Sequence, residues 1–236
     1  TAATNGISFD TANVQELTFT LSGALGESET GGAAITIVPR TGGNRFAGSD
    51  FTSYLVDQFF HRNRKTRLSN TPATQDTVYD YNITGSFGGP IKKDKLWFFT
   101  TYRNWGVNKY PAFAFHEAGD PFTAHPLVLD MTQRAYDPQR YWSLLGRLTW
   151  QADRRNKIGV YFDKQNRILE YWRVSNTVLP GNATTQSWPH QWVSQAKWTS
   201  TVSSRLLLEG GFSADVQHYR VRPTASSAPG AIPITD

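Results

Sequence analysis

The chain has 236 residues, with 24 lysines and arginines against 19 acidic residues, and it contains no cysteine. Within these residues that composition excludes disulfides, cysteine-ligated metal sites and thiol catalysis, and no run reaches the ~20 apolar residues of a transmembrane helix. Aromatic residues make up 14% of the chain, although the hydrophobic total is only 39%. We therefore expect aromatic side chains, interleaved with polar ones, to carry much of the burial.

The first 43 residues differ from the remainder in composition. Two short strands are predicted, Val14–Thr20 and Ala33–Val38, and residues 23–32 between them are rich in small side chains. The segment is acidic and ends at a Gly-Gly-Asn turn, residues 42–44. It is typical of the end of a small globular domain that leads directly into the first strand of a larger sheet.

Beyond residue 43 the hydrophobic pattern has a period of two, which predicts β-strands with one apolar and one polar face. The clearest example runs from Trp142 to Trp150, where apolar residues and glycine occupy the even positions. All but one of these segments exceed the usual strand length of about 5–6 residues. Seven strands are predicted: Asn44–Leu55, Tyr79–Phe87, Lys95–Trp105, Trp142–Trp150, Ile158–Phe162, Gln191–Ser200 and Leu206–Val216.

The predicted connections alternate between short and long. Short ones are expected at residues 91–94, 152–155 and 201–203, and long ones at about 56–78, 106–140 and 167–189. Compact soluble domains rarely contain several such long connections. Outer-membrane barrels combine short periplasmic turns with long extracellular loops. The rhythm therefore favours an up-and-down meander of that kind.

A length estimate supports the same interpretation. Trp142 and Trp150 lie eight residues apart on one strand face, which is about 20 Å along the membrane normal at a tilt near 40°. We expect these two tryptophans to belong to the lipid-facing aromatic girdle. The polar strand faces carry residues that we expect to face the barrel lumen: Arg147, Asp163, Glu209 and Asp215. A sandwich strand with two core tryptophans explains the alternation but not the length or the loop asymmetry.

Two stretches resemble a known family. Residues Leu17–Gly23, followed by Gly31–Gly48 (GGAAITIVPRTGGNRFAG), resemble the plug-to-barrel passage of TonB-dependent receptors. Residues Gly85–Phe99 (GSFGGPIKKDKLWFF) are similar to a strand–turn–strand of the Oar-like subgroup, which usually carries an N-terminal carboxypeptidase-regulatory-like domain. Together the two stretches and their surroundings cover roughly residues 10–105.

The resemblance implies a 22-stranded barrel filled by a plug, which imports a ligand with energy passed on by TonB. The expected fold is therefore all-β: an antiparallel, up-and-down transmembrane β-barrel segment, preceded by the end of a plug domain. Residues 1–43 would end the plug, and residues 44–236 would supply the first seven or so barrel strands. Seven strands with two open edges make a partial barrel, because lipid does not tolerate unpaired edges. We expect a longer native protein in the outer membrane of a Gram-negative bacterium.

The partners expected from the resemblance are outer-membrane lipid, including lipopolysaccharide, and the TonB complex, contacted through an N-terminal part outside these residues. The imported ligand is left open between a small ligand, a glycan and a peptide. No cofactor, no enzymatic activity and no nucleic-acid partner is expected.

Two groups of loop residues are candidates for ligand or lipid contact. Tyr171, Trp172 and Trp188 are predicted in or beside a long loop, where they stack on sugars or a partner protein, or pack the loop onto its neighbours. The basic run at residues 61–67 either meets lipid A phosphates or is a solvated loop. Its cationic residues are Arg62, Arg64, Lys65 and Arg67. A nucleic-acid site would need a helix or a stacking platform that the sequence does not predict beside this run.

Two other functions are weaker alternatives. His116, Glu117, Asp120 and His125 could ligate a metal, but their spacing matches no compact motif. Asp163, Glu209 and Asp215 could form a glycosidase-like acid–base pair, although nothing in the sequence brings two of them together. The corresponding alternative proteins are a secreted β-sandwich or propeller that binds glycans, and a carbohydrate-active β-domain.

Overall fold

The structure is a computed structural model that describes residues 11–20, 34–59, 75–118 and 128–224. Its regular elements are strands apart from short 3₁₀ turns at Thr11–Asn13, Asp57–Phe59 and Pro180–Asn182. Within these ranges there is no helix of the length and apolarity that crossing a membrane requires. The strands are β1 (Val14–Thr20), β2 (Ala34–Pro39), β3 (Ala47–Val56), β4 (Asp76–Lys92), β5 (Leu96–Tyr110), β6 (Phe115–Glu117), β7 (Leu129–Arg134), β8 (Asp137–Gln151), β9 (Asn156–Trp172), β10 (Thr184–Ser203) and β11 (Leu206–Pro223).

Seven of these strands form one antiparallel sheet in the order β11-β10-β9-β8-β5-β4-β3. Neighbours in the sheet are neighbours in sequence, except that the β6–β7 hairpin lies within the connection from β5 to β8. The sheet is therefore an up-and-down meander, and the all-β, antiparallel fold expected from the period-two pattern is confirmed. Each of the seven predicted strand segments overlaps one strand of this sheet.

The strands extend further than the hydrophobic alternation indicates. The connection between β9 and β10 is residues 173–183, shorter than the predicted 167–189, because the pairing continues on both sides through residues that do not alternate between apolar and polar. Ser187, for example, lies opposite Ile168. The other long connections are residues 57–75 and 111–136, and the third short turn is at residues 204–205 rather than 201–203. Backbone hydrogen bonds thus maintain the strands at positions where the side chains no longer alternate between apolar and polar.

The short turns have local side-chain chemistry that explains them. In the β8–β9 turn one Asp153 carboxylate oxygen accepts hydrogen bonds from the backbone N–H of Arg155 at 2.7 Å and of Asn156 at 2.9 Å. A hydrogen bond from the Asn156 side chain, together with these two backbone bonds, holds the pKa of Asp153 below its ordinary value. Asp94, in the β4–β5 turn, has a left-handed φ of 60°, a conformation that Asp adopts more readily than most residues.

The chain enters the sheet at the end that carries the short turns. The Asn44 side-chain oxygen accepts hydrogen bonds from the Asp94 backbone N–H at 2.9 Å and from the Trp97 indole at 2.8 Å. At the opposite end, Ala114, Ala135, Val174 and Ala183 form a small buried cluster. The short turns and the chain entry therefore mark one end of the sheet, and the long connections mark the other.

Candidate functional site: a polar inner face and an apolar outer face

The two faces of the sheet differ in chemistry. We call the face that carries Leu144, Leu148 and Trp150 the outer face. These three side chains are 46–49% exposed, whereas Leu145, on the opposite inner face, is 2% exposed. The alternation of β8 therefore separates a large apolar surface from a covered one.

The apolar surface continues from strand to strand. Register pairs place Leu148 opposite Phe98 on β5 and Val160 on β9, and Val160 opposite Ala196 on β10. Adjacent rows of the same face add further exposed apolar side chains. Those at least 40% exposed include Phe87, Tyr102, Phe162, Trp198, Leu206, Leu208 and Phe212. Exposed apolar surface on this scale is characteristic of a face that contacts something other than water.

The inner face is lined by polar side chains that are nonetheless buried. The polar residues of this face that are no more than 8% exposed are Thr84, Ser86, Thr101, Asp137, Ser143, Thr149, Asp163, Gln165 and Gln191. Buried polar groups need hydrogen-bond partners, and several pairs are visible. The Gln165 amide donates to the Asp163 carboxylate at 2.9 Å, and the Ser49 and Ser86 hydroxyls lie 2.7 Å apart. The sheet therefore has a polar interior side.

A repeated local motif supplies carboxylates to the strands of the sheet. In each of three Asp-x-Gln sequences, the glutamine amide donates to the carboxylate two residues earlier. The distance is 3.0 Å for Gln139–Asp137 and 2.9 Å for the other two pairs. The other two pairs are Gln165–Asp163 and Gln217–Asp215. The register relates Asp163 to Asp215 through Val193, two strands apart. That separation is about 10 Å between backbones.

The β1–β2 hairpin packs against the inner face. The Arg147 guanidinium donates a 2.8 Å hydrogen bond to the Pro39 carbonyl at the end of β2. The backbone N–H of Arg40 donates to the Asn13 carbonyl at 2.7 Å, and Asn13 is 5% exposed. Gly42 follows, so close to the sheet that a Cβ would lie 2.1 Å from the Phe98 carbonyl oxygen. The hairpin is thus held at the inner face by one guanidinium and by close backbone approach.

Aromatic rings and guanidinium groups alternate across the inner face toward the long connections. The Arg103 guanidinium lies 4.2 Å from the Trp105 ring centroid, and the Trp105 and Tyr141 rings stack at 5.2 Å. Arg167 lies 6.0 Å from Tyr141 and 4.2 Å from Trp188. We call this set the aromatic–arginine ladder. Its members are arginine or aromatic residues at the same height on successive strands. This arrangement becomes visible only when the register of the strands is known.

The structure places the predicted lumen-facing and girdle residues on opposite faces. Arg147, Asp163, Glu209 and Asp215 all lie on the inner face by register. Trp142 and Trp150 lie on the outer face of β8. Glu209 forms an ion pair with Lys197 at 2.9 Å. Glu209 and Asp163 therefore interact with different neighbours.

The predicted loop candidates are found in strands. Tyr171 and Trp172 are the last two residues of β9, and the Tyr171 ring meets Tyr136 edge-on at 5.5 Å. Trp188 lies within β10 and is 1% exposed, so its ring packs the sheet rather than facing solvent. The four basic candidates, Arg62, Arg64, Lys65 and Arg67, fall outside the described residues.

The possible metal ligands are only partly described. His116 and Glu117 lie on β6, and Asp120 and His125 fall outside the described residues. Within residues 11–20, 34–59, 75–118 and 128–224, no group of three or more His, Cys, Asp or Glu side chains is arranged to hold a metal ion.

Comparison with known proteins gives one informative similarity. The chain is similar to the TonB-dependent transporter Oar of Myxococcus xanthus, with 25% identity over 159 residues. The match covers 61% of this chain but only 15% of that transporter. No family model matches the chain, and no solved structure matches it. The similarity is therefore to a segment of a much longer transporter.

Proposed function

We propose that the chain is a segment of a TonB-dependent transporter of the outer membrane. Residues 1–43 end its plug, and residues 44–236 contribute the first seven or so strands of its barrel. The native protein captures a ligand at its long connections and plug and imports it with energy delivered through TonB. The residues of this chain bind, position and enclose the ligand, and they make or break no covalent bonds.

The observation that carries the proposal is the continuous apolar outer face opposite a polar inner face. On β11 the outer positions from Leu206 to Val216 are apolar or glycine. Ten residue steps span about 33 Å along a strand, or about 25 Å along the normal at a tilt near 40°. This height equals that of the apolar band of outer-membrane barrels. In a water-soluble β-sandwich, nothing would require the apolar face to have this height.

The ends of the sheet support an orientation. Short turns belong on the periplasmic rim and long connections on the extracellular rim. The chain passes from the hairpin into β3 at the short-turn end, where Asn44 holds the β4–β5 turn. A plug that follows an N-terminal periplasmic segment would join its barrel from that side. The long connections would then face the ligand.

The inner face supports a filled lumen rather than an open one. Arg147 and the backbone around Gly42 hold the hairpin against the sheet, as a plug end must be held inside a barrel. The aromatic–arginine ladder lies on the same face, toward the long connections, and would form part of the ligand's path. The ligand's class stays open between a small ligand, a glycan and a peptide.

The proposal is tested by probing two adjacent residues of β8 in the full-length protein in native outer membranes. Leu144→Cys on the outer face and Ser143→Cys on the inner face are each labelled with a polarity-sensitive fluorophore. Brominated lipid should quench the probe at residue 144 and leave the probe at residue 143 unaffected. Equal quenching at both positions, or none at residue 144, would contradict a lipid-facing sheet.

The mass of the native polypeptide separates the transporter from the secreted alternatives. A plugged barrel of 22 strands needs on the order of 100 kDa and detergent for extraction. A native protein close to the 26.5 kDa of this chain, recovered without detergent, would instead favour a secreted glycan-binding or carbohydrate-active β-domain.

A further inference from the structure

The outer face of β11 changes from apolar to cationic at one position. Above Val216 the next outer-face residues are His218, Arg220 and Arg222, each exposed. Below that point, back to Leu206, the outer face of β11 has no charged residue. The change occurs at the end of the ~25 Å apolar span, on the side of the long connections.

Neighbouring strands change within one register row of that position. On β9 the outer face runs Ile158, Val160 and Phe162 and then reaches Lys164, and register places Lys164 opposite Trp192 in the row of Val216. One step higher, His190 of β10 lies opposite His218, with ring centroids 6.2 Å apart. Lysine, arginine and histidine side chains therefore form a patch across β9–β11 and are not confined to a single strand. We call Lys164, His190, His218, Arg220 and Arg222 the rim patch.

The nearby contacts leave the rim patch with net positive charge. The Lys164 ammonium donates to the Pro189 carbonyl at 2.9 Å, a neutral acceptor. Among the described residues, the acidic neighbour of the patch on the outer face is Glu170, and it is paired with Arg140 on β8. Asp163 and Asp215 lie on the inner face, on the other side of the sheet. Lys164, Arg220 and Arg222 thus present three positive charges toward whatever surrounds the outer face.

We propose that the rim patch binds the phosphate groups of lipid in the outer leaflet, and specifically those of lipid A. The inference rests on the proposed function, because it takes the apolar outer face to lie in the bilayer. Lipid phosphates lie just beyond the hydrocarbon, at the height where the rim patch begins. Arginine pairs with phosphate through two parallel N–H donors, and lysine reaches it as a flexible point charge.

The continuity of the patch with the apolar band favours a lipid over a soluble anion. One molecule that has both acyl chains and phosphates would contact Val216 and Phe212 with its chains and Arg220 with a phosphate. Clustered basic residues beside a membrane attract anionic lipid by about 1 kcal/mol each, which corresponds to about a fivefold change in affinity for each charge. A free phosphate gains nothing from the apolar residues and should bind far more weakly.

The test uses the full-length protein purified in detergent micelles and a fluorescent diphosphoryl lipid A. A triple variant, Lys164→Gln with Arg220→Gln and Arg222→Gln, removes three charges from the rim patch. The matched control, Lys93→Gln with Arg154→Gln and Arg205→Gln, removes three exposed charges from the short turns at the opposite end. We expect the rim variant to lose at least tenfold in lipid A affinity, and the control to change less than twofold.

Two further arms identify the source of the phosphate. Dephosphorylated lipid A should bind the wild-type and rim-variant proteins equally, and inorganic phosphate should not displace diphosphoryl lipid A at millimolar concentration. Equal loss in the rim variant and the control would overturn the proposal, because it would show only a general charge effect. Displacement by inorganic phosphate would overturn the choice of lipid as ligand.

The failure of this proposal is distinguishable from the failure of the proposed function. If lipid quenching at residue 144 succeeds and the rim variant keeps its lipid A affinity, the chain spans the membrane and the rim patch is not the lipid site. If quenching at residue 144 fails, the membrane assignment and the rim patch fall together.

Discussion

Gly42 shows how one side chain is excluded where the hairpin meets the sheet. A Cβ at Gly42 would lie 2.1 Å from the Phe98 carbonyl oxygen and 3.1 Å from that of Gly89. Both are backbone atoms of paired strands, so neither moves without breaking the sheet register. At Gly43, the next residue, an added Cβ meets nothing within 4 Å. The two glycines have the same chemistry but different surroundings.

We therefore predict that Gly42→Ala destabilises the full-length protein and that Gly43→Ala does not. Overpacking against rigid neighbours costs about 1–3 kcal/mol, whereas Gly43→Ala should change the free energy of unfolding by less than about 0.5 kcal/mol. Urea unfolding of the detergent-solubilised protein measures both variants. Equal stability of the two would mean that the hairpin does not approach the sheet at Gly42.

Asp153 gives a prediction that depends on pH. Hydrogen bonds from Asn156 and Arg155 hold the pKa of its carboxylate below the ordinary value of 3.8. Because the pKa is lower in the folded state than in the unfolded chain, ionised Asp153 stabilises the β8–β9 turn above that ordinary value. The contribution is lost as pH falls through the folded-state pKa.

The measurement compares the unfolding temperature of wild type with that of Asp153→Ala across pH. Wild type should be the more stable at pH 6, and the difference should shrink as the pH falls below the ordinary value of 3.8. Asp153→Asn, which keeps an uncharged acceptor, should show a smaller difference with little pH dependence. A wild-type advantage that is unchanged at low pH would show that the carboxylate charge is irrelevant to the turn.

At the scale of elements, the attachment of the β1–β2 hairpin depends on Arg147. Its guanidinium donates to the Pro39 carbonyl at 2.8 Å from the inner face of β8. A hydrogen bond from a charged donor contributes about 1.5–3 kcal/mol, and a carbonyl left without a partner carries a further cost. The hairpin should therefore be the first element to open when that donor is removed.

We predict that Arg147→Met increases hydrogen exchange in β2 by about tenfold, as expected for a loss of about 1.4 kcal/mol, and leaves β8 and β9 protected. Arg140→Met is the matched control, because Arg140 lies on the same strand but pairs with Glu170 on the outer face. It should leave exchange in β2 unchanged. If both variants or neither expose β2, Arg147 does not hold the hairpin.

The elements also show which parts of the fold the sequence predicts. Alternation located all seven strands of the sheet, because a strand with one apolar face repeats every two residues. It missed the strand ends at residues 167–172 and 184–189, where both faces carry polar or mixed side chains and the backbone pairing alone maintains the strand. The alternation therefore predicts Trp188 in or beside a loop, whereas it lies within β10.

The polar side of the sheet was harder to predict than its strands. Alternation separates Arg147 and Asp163 from Trp142 and Trp150, but it does not give the strand register. The aromatic–arginine ladder exists only because Trp105 faces Tyr141 and Tyr141 faces Arg167 across three strands. The Asp-x-Gln pairs, in contrast, are local, and their repetition at Asp137, Asp163 and Asp215 was available in the sequence.

At the scale of the whole molecule, the question is what surrounds the outer face. Gly146 and Gly159 provide a matched pair, since an added Cβ meets nothing within 4 Å at either position. Gly146 lies on the outer face midway between Trp142 and Trp150, and Gly159 lies on the inner face opposite Thr149. An added Cβ clashes at neither position, so we expect the medium on each side to dominate the difference in cost.

We predict that Gly146→Arg destabilises the membrane-inserted protein by about 2–4 kcal/mol, the cost of an arginine at the bilayer midplane, and that Gly159→Arg costs less than about 1 kcal/mol because the inner face is polar. Gly146→Leu supplies the decisive comparison. In lipid an added apolar side chain is neutral or stabilising, whereas against a second packed sheet it would overpack the interface and cost about 1–3 kcal/mol. Folding into vesicles at increasing urea concentration measures all three variants. A large cost for Gly146→Leu would mean that protein, and not lipid, covers the outer face, and the transporter assignment would then be wrong.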